Sequence, residues 1–152
     1  MIKLLVMDVD GTLTDGKIYM GPSGEVMKAF DIKDGYAIAH MLPEMEIVPV
    51  IITGRKSAIV ENRAKELGIK ELHQGVSDKL TALKEIVLKY GVSPAEVAYI
   101  GDDLNDLDCI AYAGFSACPA DAADAVRRKV EYVCKSPGGQ GALREMVERL
   151  YE

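Results

Sequence analysis

The 152-residue chain has few of the residues that mark the commonest special classes of protein. Its three cysteines, an odd number, do not suggest a disulfide framework, so we expect a reducing, cytoplasmic environment. Lysine and arginine number 18 against 24 acidic residues, and no basic stripe is present, which argues against a nucleic-acid partner. No apolar run reaches the roughly 18 residues of a membrane span, so we expect no membrane partner. The apolar start of the chain is too short for a signal peptide.

The chain does have enough apolar sequence for one folded core. Hydrophobic residues make up 49% of it, and its length is typical of one domain, so we expect residues 1–152 to form a single domain. Near-continuous apolar runs of strand length are typical of strands buried on both faces. These runs are Ile2–Val9, Ile47–Ile52, Val97–Ile100 and Phe115–Cys118, with weaker candidates at Glu71–Gln74 and Tyr132–Cys134.

Helical patterns separate the strands. Ser57–Leu67, Asp78–Tyr90 and Ala142–Tyr151 each place apolar residues on one face. Strands that alternate with helices predict an α/β fold, a mostly parallel sheet with helices on both faces. One segment interrupts this order. Lys17–Met20 and Glu25–Phe30 flank a Gly-Pro-Ser-Gly turn, which predicts a β-hairpin directly after the first strand.

Polar residues follow the ends of four predicted strands, where ligands bind in sheets of this kind. They are Asp8 and Asp10, then Thr53, Gly54 and Arg55, then Lys79, then Asp102, Asp103 and Asp106. One such acidic pair is usually a turn or a helix cap, but capping does not readily explain four groups that each follow a strand. Crowded carboxylates repel one another, and a divalent cation reverses the sign of that interaction. The all-oxygen set therefore predicts Mg²⁺, with Lys79 and the Thr53 hydroxyl on a phosphoryl group.

Four segments resemble the motifs of the haloacid dehalogenase superfamily of aspartyl phosphatases. They are Asp8–Thr12, Thr53, Lys79 and Gly101–Asp106. The resemblance implies a Rossmann-like fold and a two-step reaction, in which Asp8 attacks phosphorus and Asp10 acts as general acid and then as general base. It also implies that Mg²⁺ is bound by the Asp8 carboxylate, the Asp10 backbone carbonyl and Asp102. Asp103 and Asp106 are then expected to orient these ligands and Lys79.

A second set of segments resembles one family within that superfamily, the 3-deoxy-D-manno-octulosonate (KDO) 8-phosphate phosphatases. These segments are Gly16–Met20, Gly24–Glu25, Lys28–Phe30, Lys33–Tyr36, Ile52–Lys56, Gln74–Gly75, Ala98–Asp103 and Gly138–Glu145. The space between Asp10 and Thr53 holds only the hairpin and one helix, so we expect no cap domain. The resemblance implies a small-molecule sugar-acid phosphate as substrate and a homotetramer in which hairpins cover neighbouring sites. Arg55 is expected to bind the substrate carboxylate, beside Thr53, Gly54 and Lys79.

Three other functions remain open at this point. Phosphatases that act on nine-carbon 9-phosphates share most of these motifs, although a glutamate at the place of Arg55 is typical of the nine-carbon keto-deoxy substrate. A phosphoacceptor receiver domain also uses clustered aspartates, a threonine and a lysine, but its phosphorylated aspartate follows a mid-chain strand. A non-catalytic oligomer that keeps the fold is the third. Repeated phosphate release from a sugar phosphate separates the enzymes from the other two.

Overall fold

A six-stranded parallel sheet forms the central layer of the computed structural model, which describes residues 1–152. Its strands are β1 (Leu4–Met7), β4 (Val48–Ile52), β5 (Glu71–His73), β6 (Val97–Ile100), β7 (Phe115–Cys118) and β8 (Tyr132–Val133). They are arranged in the order β5-β4-β1-β6-β7-β8, and every neighbouring pair is parallel. Met7 pairs with both Ile51 and Ile100, so the three central strands end at one edge. The predicted α/β fold is confirmed.

Helices cover both faces of this sheet. They are α1 (Ile32–Tyr36), which continues through a π-helix (Ala37–Met41) into α2 (Leu42–Glu44), then α3 (Ala58–Leu67), α4 (Lys79–Tyr90), α5 (Leu107–Tyr112), α6 (Asp124–Arg127) and α7 (Ala142–Tyr151). Short 3₁₀ turns span Pro94–Glu96 and Leu104–Asp106. Because side chains alternate along a strand, Leu5 and Met7 pack in the core beneath α7, whereas Leu4 and Val6 pack beneath α4. None of the helices has the length and apolar character needed to cross a membrane.

The segment between β1 and α1 folds as a small separate hairpin, as predicted. Its strands are β2 (Tyr19–Gly21) and β3 (Gly24–Met27), which pair antiparallel. This hairpin and the helix Ile32–Glu44 are the only elements between β1 and β4, so the chain has no cap domain.

Most of the predicted strands are longer than the observed ones, and two of them differ for clear local reasons. The first was expected to continue to Val9, but β1 ends at Met7 because the Val9 carbonyl accepts N–H groups from the next turn. The second hairpin strand was expected to reach Phe30, but β3 ends at Met27 and Lys28 turns inward. The sequence pattern thus located both strands but not the point where their pairing stops.

The glycine-rich segment before α7 packs against the loop that follows β1. A Cβ atom on Gly138 would lie only 1.9 Å from the Gly11 carbonyl oxygen, so only glycine allows this approach. The Gly139 N–H donates to the Thr12 carbonyl oxygen at 3.1 Å, and the Gly138 N–H donates to Asp121 Oδ1 at 3.0 Å. The segment thus supports the loop that carries Asp10.

Asp34 connects α1 to the start of α7. Gly141, the residue before α7, offers no side-chain cap, and Asp34 Oδ1 instead accepts the Arg144 N–H at 2.9 Å. Asp34 is buried, and burial raises its pKa to about 6, against the opposing effect of the Arg144 hydrogen bond. The carboxyl group therefore binds a proton more tightly in the folded protein than in the unfolded chain.

We expect Asp34→Asn to become more stable relative to the wild type as pH rises from 4 to 7. Between the unfolded pKa of 3.8 and the folded pKa of about 6, the native state binds more protons, so this group's contribution to stability falls with pH. Urea unfolding should show the difference growing by about 3 kcal/mol across that window. Asp108→Asn, at an exposed site on α5, is the matched control, and a difference for Asp34→Asn that does not change with pH would contradict the assignment.

Candidate active site

A tight loop after β1 presents the first two acidic residues at the edge of the sheet. The Asp8 N–H donates to the Ile100 carbonyl oxygen at 3.1 Å, which ties the end of β1 to β6. The Val9 carbonyl oxygen then accepts three N–H groups in succession, from Thr12, Leu13 and Thr14. Gly11 lies within this turn at φ +89°, where a Cβ atom would overlap the Asp102 carboxylate at 1.9 Å. The loop can therefore bring Asp8 and Asp10 close to Asp102 only because glycine stands at this position.

A buried ion cluster connects Asp8 to α4. Lys79 Nζ lies 3.0 Å from Asp8 Oδ1 and 2.9 Å from Asp106 Oδ1, and all three side chains are less than a tenth exposed. Tyr99, on β6, donates its hydroxyl to the same Asp106 oxygen at 2.5 Å. Burial lowers the pKa of Lys79, but Asp8 and Asp106 outweigh it and the pKa is raised. Lys79 therefore stays charged and balances the buried acids.

Asp103 and Asp106 have different structural roles. Both Asp106 oxygens are used inside the protein, because Oδ2 accepts the N–H groups of Asp102 and Asp103 at 3.0 and 3.2 Å. Asp103 is exposed, and its Oδ1 accepts the Leu104 N–H at 2.8 Å, at the start of the 3₁₀ turn. The two acids are expected to orient the metal ligands and Lys79, and of the two only Asp106 contacts Lys79. The sequence pattern does not distinguish the two roles.

Asp8 and Asp102 form a site suited to a hard divalent cation. Oxygens of Asp8, Asp102 and Asp106 lie within 4.8 Å of one another. Burial, together with the neighbouring Asp8 carboxylate, raises the pKa of Asp102 to about 8, and burial also raises the pKa of Asp8. The Asp10 carbonyl oxygen accepts no hydrogen bond within the chain and is free to act as a ligand. Since a cation would favour the ionised form of both acids, these residues fit the predicted Mg²⁺.

The remaining predicted residues line one open cavity of about 180 Å³. Its lining consists of Asp8, Asp10, Thr53, Gly54, Arg55, Asp102, Asp103 and Asn105. Thr53 is buried, and its backbone is held between β4 and β5 by bonds to His73 and Val76. Arg55 is about half-exposed at the cavity, with its Nη2 atom 3.5 Å from Glu25 Oε2. The cavity thus has acids at its base and a partly free guanidinium beside them.

Three polar residues outside the predicted set also belong to this site. Lys28 Nζ lies 2.6 Å from Asp10 Oδ1 and 2.9 Å from Glu25 Oε2. The Ser57 hydroxyl donates to Glu25 Oε1 at 2.6 Å. Burial disfavours the charged form of Lys28, but its hydrogen bonds to Asp10 and Glu25 outweigh this effect and raise its pKa. Glu25 and Lys28 lie in two segments that carry the family resemblance, but no local pattern indicates that the hairpin directs their side chains into the site.

Several known proteins are similar to this chain in both sequence and fold. The family of haloacid dehalogenase-like hydrolases matches residues 69–146. Over 149 residues the chain is 46% identical to the 3-deoxy-D-manno-octulosonate 8-phosphate phosphatase of Escherichia coli strain K12. The aligned region covers 98% of this chain and 79% of that protein. The crystal structure of the Yersinia pestis phosphatase of the same name matches 97% of this chain and 79% of its own, with 47% identity and a TM-score of 0.93. The Moraxella catarrhalis phosphatase, solved in complex with magnesium, phosphate and KDO, matches 98% and 85%, with 44% identity and a TM-score of 0.94.

We expect Lys79→Met to destabilise the protein strongly. Removing the ammonium group leaves Asp8 and Asp106 buried without a counter-charge, which costs about 3–5 kcal/mol in comparable buried pairs. Urea unfolding at neutral pH measures this cost. Lys84→Met removes an exposed lysine from the same helix and should change the free energy of unfolding by only about 0.5 kcal/mol. Equal stability of the two variants would show that Lys79 does not balance the buried acids.

Proposed function

The chain belongs to the haloacid dehalogenase-like family of KDO 8-phosphate phosphatases, and from this premise we propose that it hydrolyses 3-deoxy-D-manno-octulosonate 8-phosphate to KDO and phosphate. We also propose that residues 1–152 form a single phosphatase domain. The observation that carries the proposal is the shared cavity of Asp8, Asp10, Thr53, Arg55 and Asp102. These groups supply a nucleophile, a proton carrier, phosphate-binding donors and a partner for a sugar-acid carboxylate.

Asp8 is the nucleophile in this proposal. Its carboxylate oxygen forms a bond to phosphorus while the bond from phosphorus to the ester oxygen breaks, which leaves an aspartyl phosphate. The ion pair with Lys79 holds the carboxylate in place at 3.0 Å and balances negative charge around the phosphoryl group. Thr53, buried beside them, offers its hydroxyl to a phosphoryl oxygen.

Asp10 moves the proton in both steps. Its carboxylic acid first donates a proton to the departing sugar oxygen. The resulting carboxylate then accepts a proton from a water molecule whose oxygen attacks the phosphorus. The bond from phosphorus to Asp8 breaks, so phosphate leaves and both aspartates return to their starting states. Asp10 lies at the cavity with its side chain about one-fifth exposed, so both the substrate and water can reach it.

We propose Mg²⁺ as the cofactor, held by the Asp8 carboxylate, the Asp10 carbonyl oxygen and Asp102. When bound, it would neutralise the crowded carboxylates and polarise the phosphoryl group. Asp106 then acts indirectly, because its oxygens already accept bonds from Lys79, Tyr99 and two backbone N–H groups. Asp103 supports the same loop by capping the turn after Asp102.

Arg55 and Gly54 are proposed to select the sugar acid. The Arg55 guanidinium lies at the cavity with about half of its side chain exposed, so a carboxylate can bind its free face in a two-point contact. Its distances to Asp10 and Glu25, 3.9 and 3.5 Å, are too long for strong hydrogen bonds. A substrate carboxylate can therefore bind Arg55 without displacing a strong internal partner.

A homotetramer in which hairpins cover neighbouring cavities is also proposed, since no cap domain covers this open site. The exposed apolar side chains of the hairpin support the proposal, because Met20, Val26 and Met27 are each more than half exposed. Light scattering should give the mass of four chains, and a stable monomer would contradict the assembly.

We also propose that the protein is located in the cytoplasm. The three cysteines support this proposal, because all of them are free and buried.

A phosphate-release panel with and without Mg²⁺ tests the proposed function. It should contain KDO 8-phosphate, two nine-carbon sugar-acid 9-phosphates and a simple hexose phosphate. We expect repeated turnover, loss of activity with a chelator, recovery with Mg²⁺, and at least about a tenfold preference for KDO 8-phosphate, or roughly 1.4 kcal/mol in transition-state binding. A preference for a nine-carbon ester would contradict the substrate but not the reaction. A single phosphorylation without turnover would instead favour a receiver domain.

A further inference from the structure

Lys28 is held inside the protein although its neighbours in the chain face solvent. Met27 is 55% exposed and Ala29 is exposed, whereas the Lys28 side chain is only 1% exposed. A flexible lysine at the end of a surface hairpin normally keeps its ammonium group in water, because burial removes that hydration. Its inward position therefore depends on its two acidic partners, Asp10 at 2.6 Å and Glu25 at 2.9 Å.

Lys28 is the only residue that donates a hydrogen bond to the Asp10 side chain. The bond is made to Oδ1, whereas the cationic group within 4.0 Å of Oδ2 is Arg55, whose Nε lies at 3.9 Å, beyond hydrogen-bond distance. The other buried acids of the site are held by different groups, with Lys79 contacting Asp8 and Asp106. Rotation of the Asp10 carboxyl group is thus limited by Lys28, and Oδ2 remains available for proton transfer.

Lys28 is in turn held by a chain of contacts that begins at Ser57, in the loop after β4. The Ser57 N–H donates to Gln74 Oε1 at 2.9 Å, and its hydroxyl donates to Glu25 Oε1 at 2.6 Å. The second oxygen of Glu25 faces Lys28. The loop after β4 and the hairpin therefore determine together where the ammonium group lies.

We propose that Lys28 is a positioning residue that holds Asp10 for proton transfer to the leaving alcohol, with Glu25 holding Lys28. This rests on the proposed phosphatase function, in which Asp10 is the general acid. A misplaced general acid slows esters whose alcohol needs a proton in order to leave. It has little effect on p-nitrophenyl phosphate, whose leaving group departs as a stable anion. The two kinds of ester therefore separate positioning of the acid from a general loss of structure.

The test compares kcat/KM for KDO 8-phosphate and for p-nitrophenyl phosphate at saturating Mg²⁺. This parameter reports the steps up to departure of the alcohol, which include the proton transfer. For Lys28→Met we expect about a hundredfold loss with the sugar phosphate and no more than about threefold with p-nitrophenyl phosphate, since general acid catalysis contributes about 10²–10⁴-fold. Lys28→Arg should restore most of the lost activity. Lys65→Met, at an exposed lysine on α3, is the charge-matched control and should act like the wild type on both esters.

Equal losses on the two esters, or no loss on either, would overturn the role of Lys28. If Lys28→Met does not fold, Glu25→Gln provides the same comparison, with a smaller loss expected on the sugar phosphate alone; equal losses there would also overturn the role. If the wild type releases phosphate from neither ester, that result would instead contradict the proposed function itself. The two failures are therefore distinguishable by the wild-type measurement.

Discussion

The contact between Lys79 and two buried acids is the interaction on which the rest of the site depends. Asp8 lies at the end of a completely buried strand, and Asp106 is not exposed at all, so both carboxylates are largely removed from water. One ammonium group, 3.0 and 2.9 Å from their oxygens, compensates for that burial. The same contact joins β1, the turn after β6 and the first residue of α4. The same ion cluster therefore links the packing of these elements to the geometry of the site.

Close backbone packing supplies the second condition. Gly11 allows the loop after β1 to lie against Asp102, and Gly138 allows the segment before α7 to lie against that loop. With no cap domain, the cavity is open to solvent. The hairpin contributes polar side chains on its inner side and apolar ones on its exposed side. Its polar side thus contacts Asp10 of the same chain, whereas its apolar side is exposed.

The parts of the site that follow directly from strand ends could be predicted from the sequence. Val97–Ile100 and Phe115–Cys118 were predicted with their observed bounds, because a continuous apolar run between turns is a local signal. The pairing of Lys28 with Asp10 could not be predicted, since it depends on how the hairpin folds back over the sheet. Asp103 and Asp106 show the same limit at short range. They are three residues apart in one acidic motif, yet backbone direction exposes one and buries the other.

The most direct test of the central claim is to trap the phosphoenzyme and locate its phosphoryl group. Acid quenching during turnover of KDO 8-phosphate, followed by peptide mass spectrometry, should find the added mass of one phosphoryl group on Asp8. Borohydride reduction should convert that acyl phosphate to a homoserine residue, and Asp8→Asn should give no labelled peptide. Turnover with no covalent phosphoryl group, or with the group on another residue, would contradict the account in which Lys79 holds Asp8 as the nucleophile.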